Sequence, residues 1–259
     1  LVETLQSKGP FTVFAPTNDA FAQFLADNGF ESLDDVPVSV LRQVLLNHMV
    51  TGVNMSTDLS TGYIKTLAKG SASSTNTLSM FVNTASGVRL NGVANVITAD
   101  VMASNGVVHV VDAVIGLPTI VTHATANPNF STLVGALTAE GQPDFVGILS
   151  GTASSPFTVF APSNSAFETF ESQNPGTIAS LTSTQLTAVL SYHVVAGANV
   201  LSTGIPTGPI TTYETGTFTV SGTTITDEAS RQTNIVAVDV QATNGVIHVI
   251  DNVILPNLN

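Results

Sequence analysis

The 259 residues carry 18 acidic and six basic side chains, a formal charge of -12, and 43% hydrophobic residues, enough apolar material for two sizeable cores. Six cations form no basic stripe able to neutralise phosphates, which excludes nucleic acid and anionic membrane surfaces as partners. The absence of cysteine excludes disulfides, zinc-thiolate sites and thiol nucleophiles together.

No run reaches the roughly 18 uncharged apolar residues of a membrane span, so no membrane insertion of this stretch is expected. Leu1-Val2-Glu3 reads as the inside of a helix, which leaves room for a signal peptide or anchor ahead of it. Residues 1–117 carry nine acids and five bases, residues 118–259 nine acids and one base, so the second half is the more acidic surface. That excess reads first as a solubility device. The Thr- and Ser-rich, Lys-poor composition suits a secreted or cell-wall protein.

The chain repeats itself. Leu1 to Leu5 matches Phe145 to Leu149. The block Pro10-Phe11-Thr12-Val13-Phe14-Ala15-Pro16-Thr17-Asn18 returns as Pro156-Phe157-Thr158-Val159-Phe160-Ala161-Pro162-Ser163-Asn164, an offset of 146. Phe-Thr-Val-Phe alternates like a strand, Ala-Pro stops it, and Thr17 or Ser163 follows as a helix N-cap. Ala20, Phe21, Phe24 and Leu25, or Ala166, Phe167 and Phe170, form the buried stripe of that helix.

A second helix follows in each repeat. Its stripe is Leu41, Val44, Leu45, His48 and Met49, with Pro37 in the first turn. In the second repeat it is Leu186, Val189, Leu190, His193 and Val194, opened by a Thr182-x-x-Gln185 capping box between Leu181 and Leu186. Both repeats therefore place a histidine on the apolar face near the helix end. Strand-like pieces follow, among them Tyr213 to Ser221 and Thr223 to Thr226. The small polar stretch Lys69 to Thr77 reads as a mobile loop that holds the extra residues of the first repeat.

Leu117-Pro118 closes the first repeat, giving domains 1–117 and 118–259. Phe130, Leu133, Val134 and Leu137 form a further helical stripe. The first repeat has no counterpart of residues 118 to about 144, so the chain is expected to begin inside a domain.

Each repeat ends on the same block: Asn105-Gly106-Val107-Val108-His109-Val110-Val111-Asp112 and Asn244-Gly245-Val246-Ile247-His248-Val249-Ile250-Asp251, now offset by 139. Asn-Gly after an apolar run predicts a hairpin turn at two residues that tolerate positive φ. His109 and His248 stand between aliphatic residues on both faces and read as hydrogen-bonded core histidines. Asp112 and Asp251, at the strand ends, could orient a histidine or cap a turn. No Gly-x-Ser-x-Gly elbow, zinc-ligand spacing, EF-hand loop or phosphate loop is present. No enzymatic activity, cofactor or metal is expected.

The two signature blocks, their order, and the histidine ending the central helix resemble the fasciclin (FAS1) domain family over nearly the whole chain. The resemblance implies an α+β fold: two tandem FAS1-like domains, each a β-sandwich-like pair of twisted sheets flanked by helices, in secreted or surface-anchored adhesion proteins. It also implies partner-binding sites at Tyr192-His193 and at Asp239-Val240 and Asp100-Val101. The first repeat has Asn47-His48 in place of the Tyr-His pair, and valine stands for isoleucine after both aspartates, so the second repeat is the better candidate. The same residues serve equally as packing, since His193 lies on the apolar stripe and Val101 within a strand.

The leading expectation is an extracellular adhesion module for a cell-surface or matrix protein or glycan. The alternative is a carrier or sensor of a small apolar ligand, with a pocket lined by groups such as Phe130 or Phe145. The sequence specifies no oligomeric state.

Overall fold

The computed structural model describes residues 2–151 and 153–258. The chain divides into two compact units, Leu1–Pro118 and Thr119–Asn259, here unit 1 and unit 2. Unit 1 contains α1 (Val2–Leu5), β1 (Phe11–Pro16), α2 (Asn18–Asp27), α3 (Val38–Asn47), β2 (Met49–Thr51), β3 (Gly62–Gly70), β4 (Ser73–Asn83), β5 (Arg89–Leu90), β6 (Ala94–Ala103) and β7 (Gly106–Val111). Unit 2 opens with three further helices, α4 (Ile120–Ala126), α5 (Ser131–Leu137) and α6 (Phe145–Ser150). It continues as β8 (Phe157–Pro162), α7 (Asn164–Gln173), α8 (Thr177–Ser180), α9 (Ser183–Tyr192), β9 (Val194–Ala196), β10 (Ile210–Thr211), β11 (Thr217–Ser221), β12 (Thr224–Thr226), β13 (Gln232–Ala242) and β14 (Gly245–Ile250). Both units are α+β.

In unit 1, β1 to β7 close into a barrel in chain order. Unit 2 runs β10-β11-β12-β13-β14-β8-β9, the same circular order opened at one seam. The Tyr213 amide bridges that seam by donating to the Val194 carbonyl at 2.7 Å. In each unit the first strand pairs in parallel with the last, Phe11 opposite Gly106 and Phe14 opposite His109, then Phe157 opposite Gly245 and Phe160 opposite His248. Parallel neighbours need a long crossover; here the rest of the domain supplies it.

Inside the strands lies one apolar cluster per unit, Phe14, Met80, Val82, Leu90, Val111 and Ile115 in unit 1, and Phe160, Tyr192, Phe218, Ile225, Ile250 and Ile254 in unit 2. A second cluster seats the helices. Ala20, Phe24 and Val44 meet Val114, and Phe170 and Val189 meet Val253. The caps act as the sequence suggests: Thr17 Oγ1 accepts the Ala20 amide at 3.1 Å and Ser163 Oγ accepts that of Ala166 at 3.2 Å. The Thr182–Gln185 capping box opens α9.

Two local expectations change. Lys69 to Thr77 is not a loop: Lys69 pairs with Thr77 and Gly70 with Ser73, so the extra residues lengthen the β3–β4 hairpin. Ladder hydrogen bonds are made by the backbone, and polar side chains on an exposed hairpin do not oppose them. The Asn-Gly hairpins exist, but Ala103 pairs with Gly106 and Ala242 with Gly245, placing the turn one residue earlier. None of Asn105, Gly106, Asn244 and Gly245 has positive φ.

Glycine is required there for space. A Cβ at Gly106 would lie 2.0 Å from the Phe11 carbonyl oxygen, and one at Gly245 2.1 Å from that of Phe157. The asparagines are tethers. Asn105 Nδ2 donates to the carbonyls of Leu5 and Ser7, and Asn244 Nδ2 to that of Leu149, while its Oδ1 accepts the Ile120 amide that opens α4. Gly245→Ala is therefore expected to destabilise unit 2 by about 3 kcal/mol, because a backbone oxygen cannot yield as a side chain does. Gly116→Ala, with nothing within 4 Å of its Cβ, should change stability by less than about 0.5 kcal/mol; urea unfolding followed by circular dichroism compares the two.

Candidate interaction site

The repeated histidines and aspartates form two constellations per unit. The first sits at a bulge in the penultimate strand. The register slips between Thr98 and Val101 and between Ala237 and Val240, and the residue carrying each slip, Asp100 or Asp239, has φ of +62°. Aspartate tolerates this left-handed backbone better than most residues.

At that turn the Asp100 amide donates to His109 Nδ1 at 3.2 Å, so Nδ1 carries no proton, and Nε2 donates to the Asn54 carbonyl at 2.9 Å. The Asp100 carboxylate accepts from the Ser56 amide at 2.8 Å and the Ser56 hydroxyl at 2.5 Å. Unit 2 repeats the arrangement with Asp239, His248, the Val200 carbonyl and Ser202. The Ser56 hydroxyl and amide hold the Asp100 carboxyl below its ordinary value. Burial pushes His248 down, more than the Val200 carbonyl and Asp239 raise it.

The second constellation caps the central helix. His48 Nδ1 donates to the Val44 carbonyl at 2.7 Å, and Nε2 accepts the Ile115 amide at 2.9 Å. His193 does the same with Val189 and Ile254, at 2.7 and 3.3 Å. Each ring fastens the end of its helix to the segment that follows the last strand. Burial drives both pKa values down to about 4. With both nitrogens engaged, these imidazoles hold no base in reserve for a substrate.

The residues proposed from the resemblance lie at very different depths. Tyr192 is fully buried, its hydroxyl donating to the Thr217 carbonyl at 2.6 Å, and His193 and Val240 are buried as well. Burial raises the Tyr192 hydroxyl's pKa. Asp100 and Asp239 keep partial exposure, and Val101 is 46% exposed. Val240 is buried next to the point where α4 reaches the sheet, with His123 Nε2 meeting the Gln241 carbonyl at 3.3 Å. Asp112 and Asp251 bond Asn95 and Asn234 through amide and carboxamide, and so fasten the open end of the hairpin.

Ser56 and Ser202 escaped the sequence reading, although their spacing of 146 is that of the first signature block; aligning the repeats polar residue by polar residue would have found them. What both bulges share at the surface is an exposed aliphatic side chain three residues before the aspartate. Ile97 and Val236 are 56% and 60% exposed, and Val238 is 45% exposed. The segments read Ile97-Thr98-Ala99-Asp100 and Val236-Ala237-Val238-Asp239.

Two units with one strand order, one register and the same two histidine constellations define a tandem α+β domain protein. A family model for the fasciclin domain matches residues 1–118 and 128–256, and the chain belongs to that family. Two Synechocystis sp. proteins are each 40% identical, over 53% and 54% of this chain and 73% and 98% of their own lengths. Human periostin is 29% identical over 99% of the chain, which spans 30% of periostin. Among solved structures, a FAS1 domain pair from the insect cell adhesion molecule Fasciclin I superposes with a TM-score of 0.57 at 22% identity, covering all of this chain and 92% of that one. That likeness shows the shared fold.

His48 and His193 also set a pH dependence. Their folded values near 4 lie below the ordinary 6.5, so the fold favours the neutral rings. The stability they contribute is complete above pH 6.5 and is lost as pH falls toward 4, on the order of 3 kcal/mol for each histidine. Urea midpoints should be level between pH 7 and 8 and drop steeply between 6.5 and 4.5; a level midpoint down to 4.5 would show that the rings are not held neutral.

Proposed function

We propose that the chain is an extracellular adhesion module, secreted or held at a cell surface, whose partner is a cell-surface or matrix protein or glycan. The observation that carries this reading is the exposed aliphatic run Val236-Ala237-Val238 leading into the rigid Asp239 in unit 2, with exposed Ile97 at the matching place before Asp100 in unit 1. Isolated exposed aliphatics are ordinary, but Ile97, Val236 and Val238 stand beside a carboxylate already fixed by serine, and contiguous exposed apolar residues with a polar rim suit a protein contact. Family membership and the fold of an insect cell adhesion molecule support the same class. No helix among the described residues is long and apolar enough to cross a membrane.

The reading puts the contact on Asp100 and Asp239 and the residues before them, and gives Tyr192 and His193 the task of keeping the domain closed. Two copies of a weak site on one chain raise avidity wherever both can engage.

The test uses surface-immobilised cells or matrix protein and the intact chain. Ile97→Ser with Val236→Ser and Val238→Ser should weaken binding about tenfold or more with an unchanged melting temperature. Tyr192→Phe, which loses the bond to Thr217, should lower stability by about 1 kcal/mol and leave the affinity of the folded protein intact. The opposite pattern, with binding lost in folded Tyr192→Phe and kept in the triple-serine variant, would move the contact to the helix end.

A further inference from the structure

Beneath α4 to α6 the space beside Phe130 and Phe145 offers only about 40 Å3 and is effectively filled. An apolar cavity of about 420 Å3 lies between α5, α7, α8, α9 and the segment after β14. Unit 1 holds a recess of similar volume and opposite character, about 430 Å3 between α3 and β3. Ser39, Arg42, Gln43, Leu46, Leu67 and Lys69 line it, and its size is one that small ligands occupy.

The local structure explains why these side chains meet. Ser39, Arg42, Gln43 and Leu46 recur at three- and four-residue spacing on α3 and so share one face of it. Leu67 and Lys69 are two apart on β3, and alternation sends both to one side of the strand. The Lys69 amide donates to Gln43 Oε1 at 2.8 Å, fastening strand to helix. With its oxygen engaged, the Gln43 carboxamide has its NH2 left to offer.

Both cations at this recess are exposed and uncommitted. Among the described residues, the side chains of Arg42 and Lys69 make no ion pair and no hydrogen bond. Unit 2 is different. Its sole basic side chain, Arg231, is held by Asp227 at 2.6 Å. His48 and His193 mark an offset of 145 for the central helix, at which Thr187 stands for Arg42 and Ala188 for Gln43. The strand in the place of β3 is β10, with two residues against nine. The paired cations are a property of the first unit and its long hairpin, not of the fold.

We propose that this recess binds a sugar bearing a sulfate ester or a carboxylate, with the anion between Arg42 and Lys69, ring hydroxyls on Ser39 and Gln43, and an apolar ring face on Leu46 and Leu67. An arginine fork grips two oxygens of such an anion at once. Two cations suffice for one such group and do not form the row that a polyphosphate backbone requires. The chain's other charges are screened beyond about 8 Å at physiological ionic strength. A bare anion would leave Ser39, Gln43 and the leucines without contacts, and an acidic peptide would bring no ring hydroxyls. The site is separate from the contact proposed before Asp100 and Asp239, which lies on β6 and β13.

The experiment follows the isotope-labelled intact chain by NMR during titration with glucose sulfate, glucuronate, glucose, inorganic sulfate and a tetra-aspartate peptide. Both anionic sugars should shift the Gln43 side-chain NH2 and the Lys69 amide, and bind about tenfold more tightly than glucose, inorganic sulfate or the peptide. Arg42→Gln and Lys69→Gln should each weaken the anionic sugars about fivefold and leave glucose unchanged. Lys8→Gln removes an exposed cation outside the recess and should change nothing. Circular dichroism establishes that each variant is folded, and the five-ligand comparison on the parent chain stands without any variant. The chain carrying Ile97→Ser, Val236→Ser and Val238→Ser should keep its sugar affinity, so the two sites stand or fail separately. Inorganic sulfate or the peptide binding as tightly as glucose sulfate, no shift at Gln43 and Lys69 with millimolar sugar, or equal losses in Lys8→Gln and Arg42→Gln would each overturn the proposal.

Discussion

The contact that everything else depends on is the parallel approach of the first and last strands in each unit. Phe11 faces Gly106 and Phe157 faces Gly245 so closely that no side chain fits between the backbones. That approach brings the N-terminal and C-terminal ends of the domain together and closes a long loop, at an entropic cost that grows only slowly with loop length. It also stacks Phe14 against His109 and Phe160 against His248, ring centres 5.4 Å apart in both pairs. The histidine beneath the strand then fixes the bulge above it.

This explains why the chain uses histidine at these four buried positions. At the bulge and at the helix end, one buried side chain must accept a backbone amide on one side and donate to a carbonyl on the other, at a fixed separation. Neutral imidazole does both across a rigid ring. Each of the four rings does so, in opposite tautomers at the two places: His109 and His248 donate through Nε2, His48 and His193 through Nδ1. The arrangement leaves the carboxylates of Asp100 and Asp239 as the polar groups that reach the surface, each held by a serine.

Duplication then allowed the two units to differ where closure is not at stake. Unit 1 has the longer β3–β4 hairpin, with Lys69 opposite Thr77 and Gly70 opposite Ser73. Unit 2 places two glutamates on the helix where unit 1 has Ala22 and Leu25. The shared features are those that hold the domain together. The divergent ones lie on surfaces and cavities, where function can change without loss of the fold.

The sequence by itself determined the duplication, the α+β class, the helix caps at Thr17, Ser163 and Thr182, and the burial of His109 and His248. These follow from local chemistry and period, which neighbouring residues in the chain express directly. It did not reveal why Gly106 and Gly245 are glycine, because the obstructing oxygen belongs to a strand almost a hundred residues away. Nor does it show that Val240 is buried, since the contact of α4 beside it, His123 to the Gln241 carbonyl, joins residues 118 apart in sequence. The apolar cavity between α5, α7, α8, α9 and the segment after β14 is a decision of the same kind, since segments far apart in sequence line it.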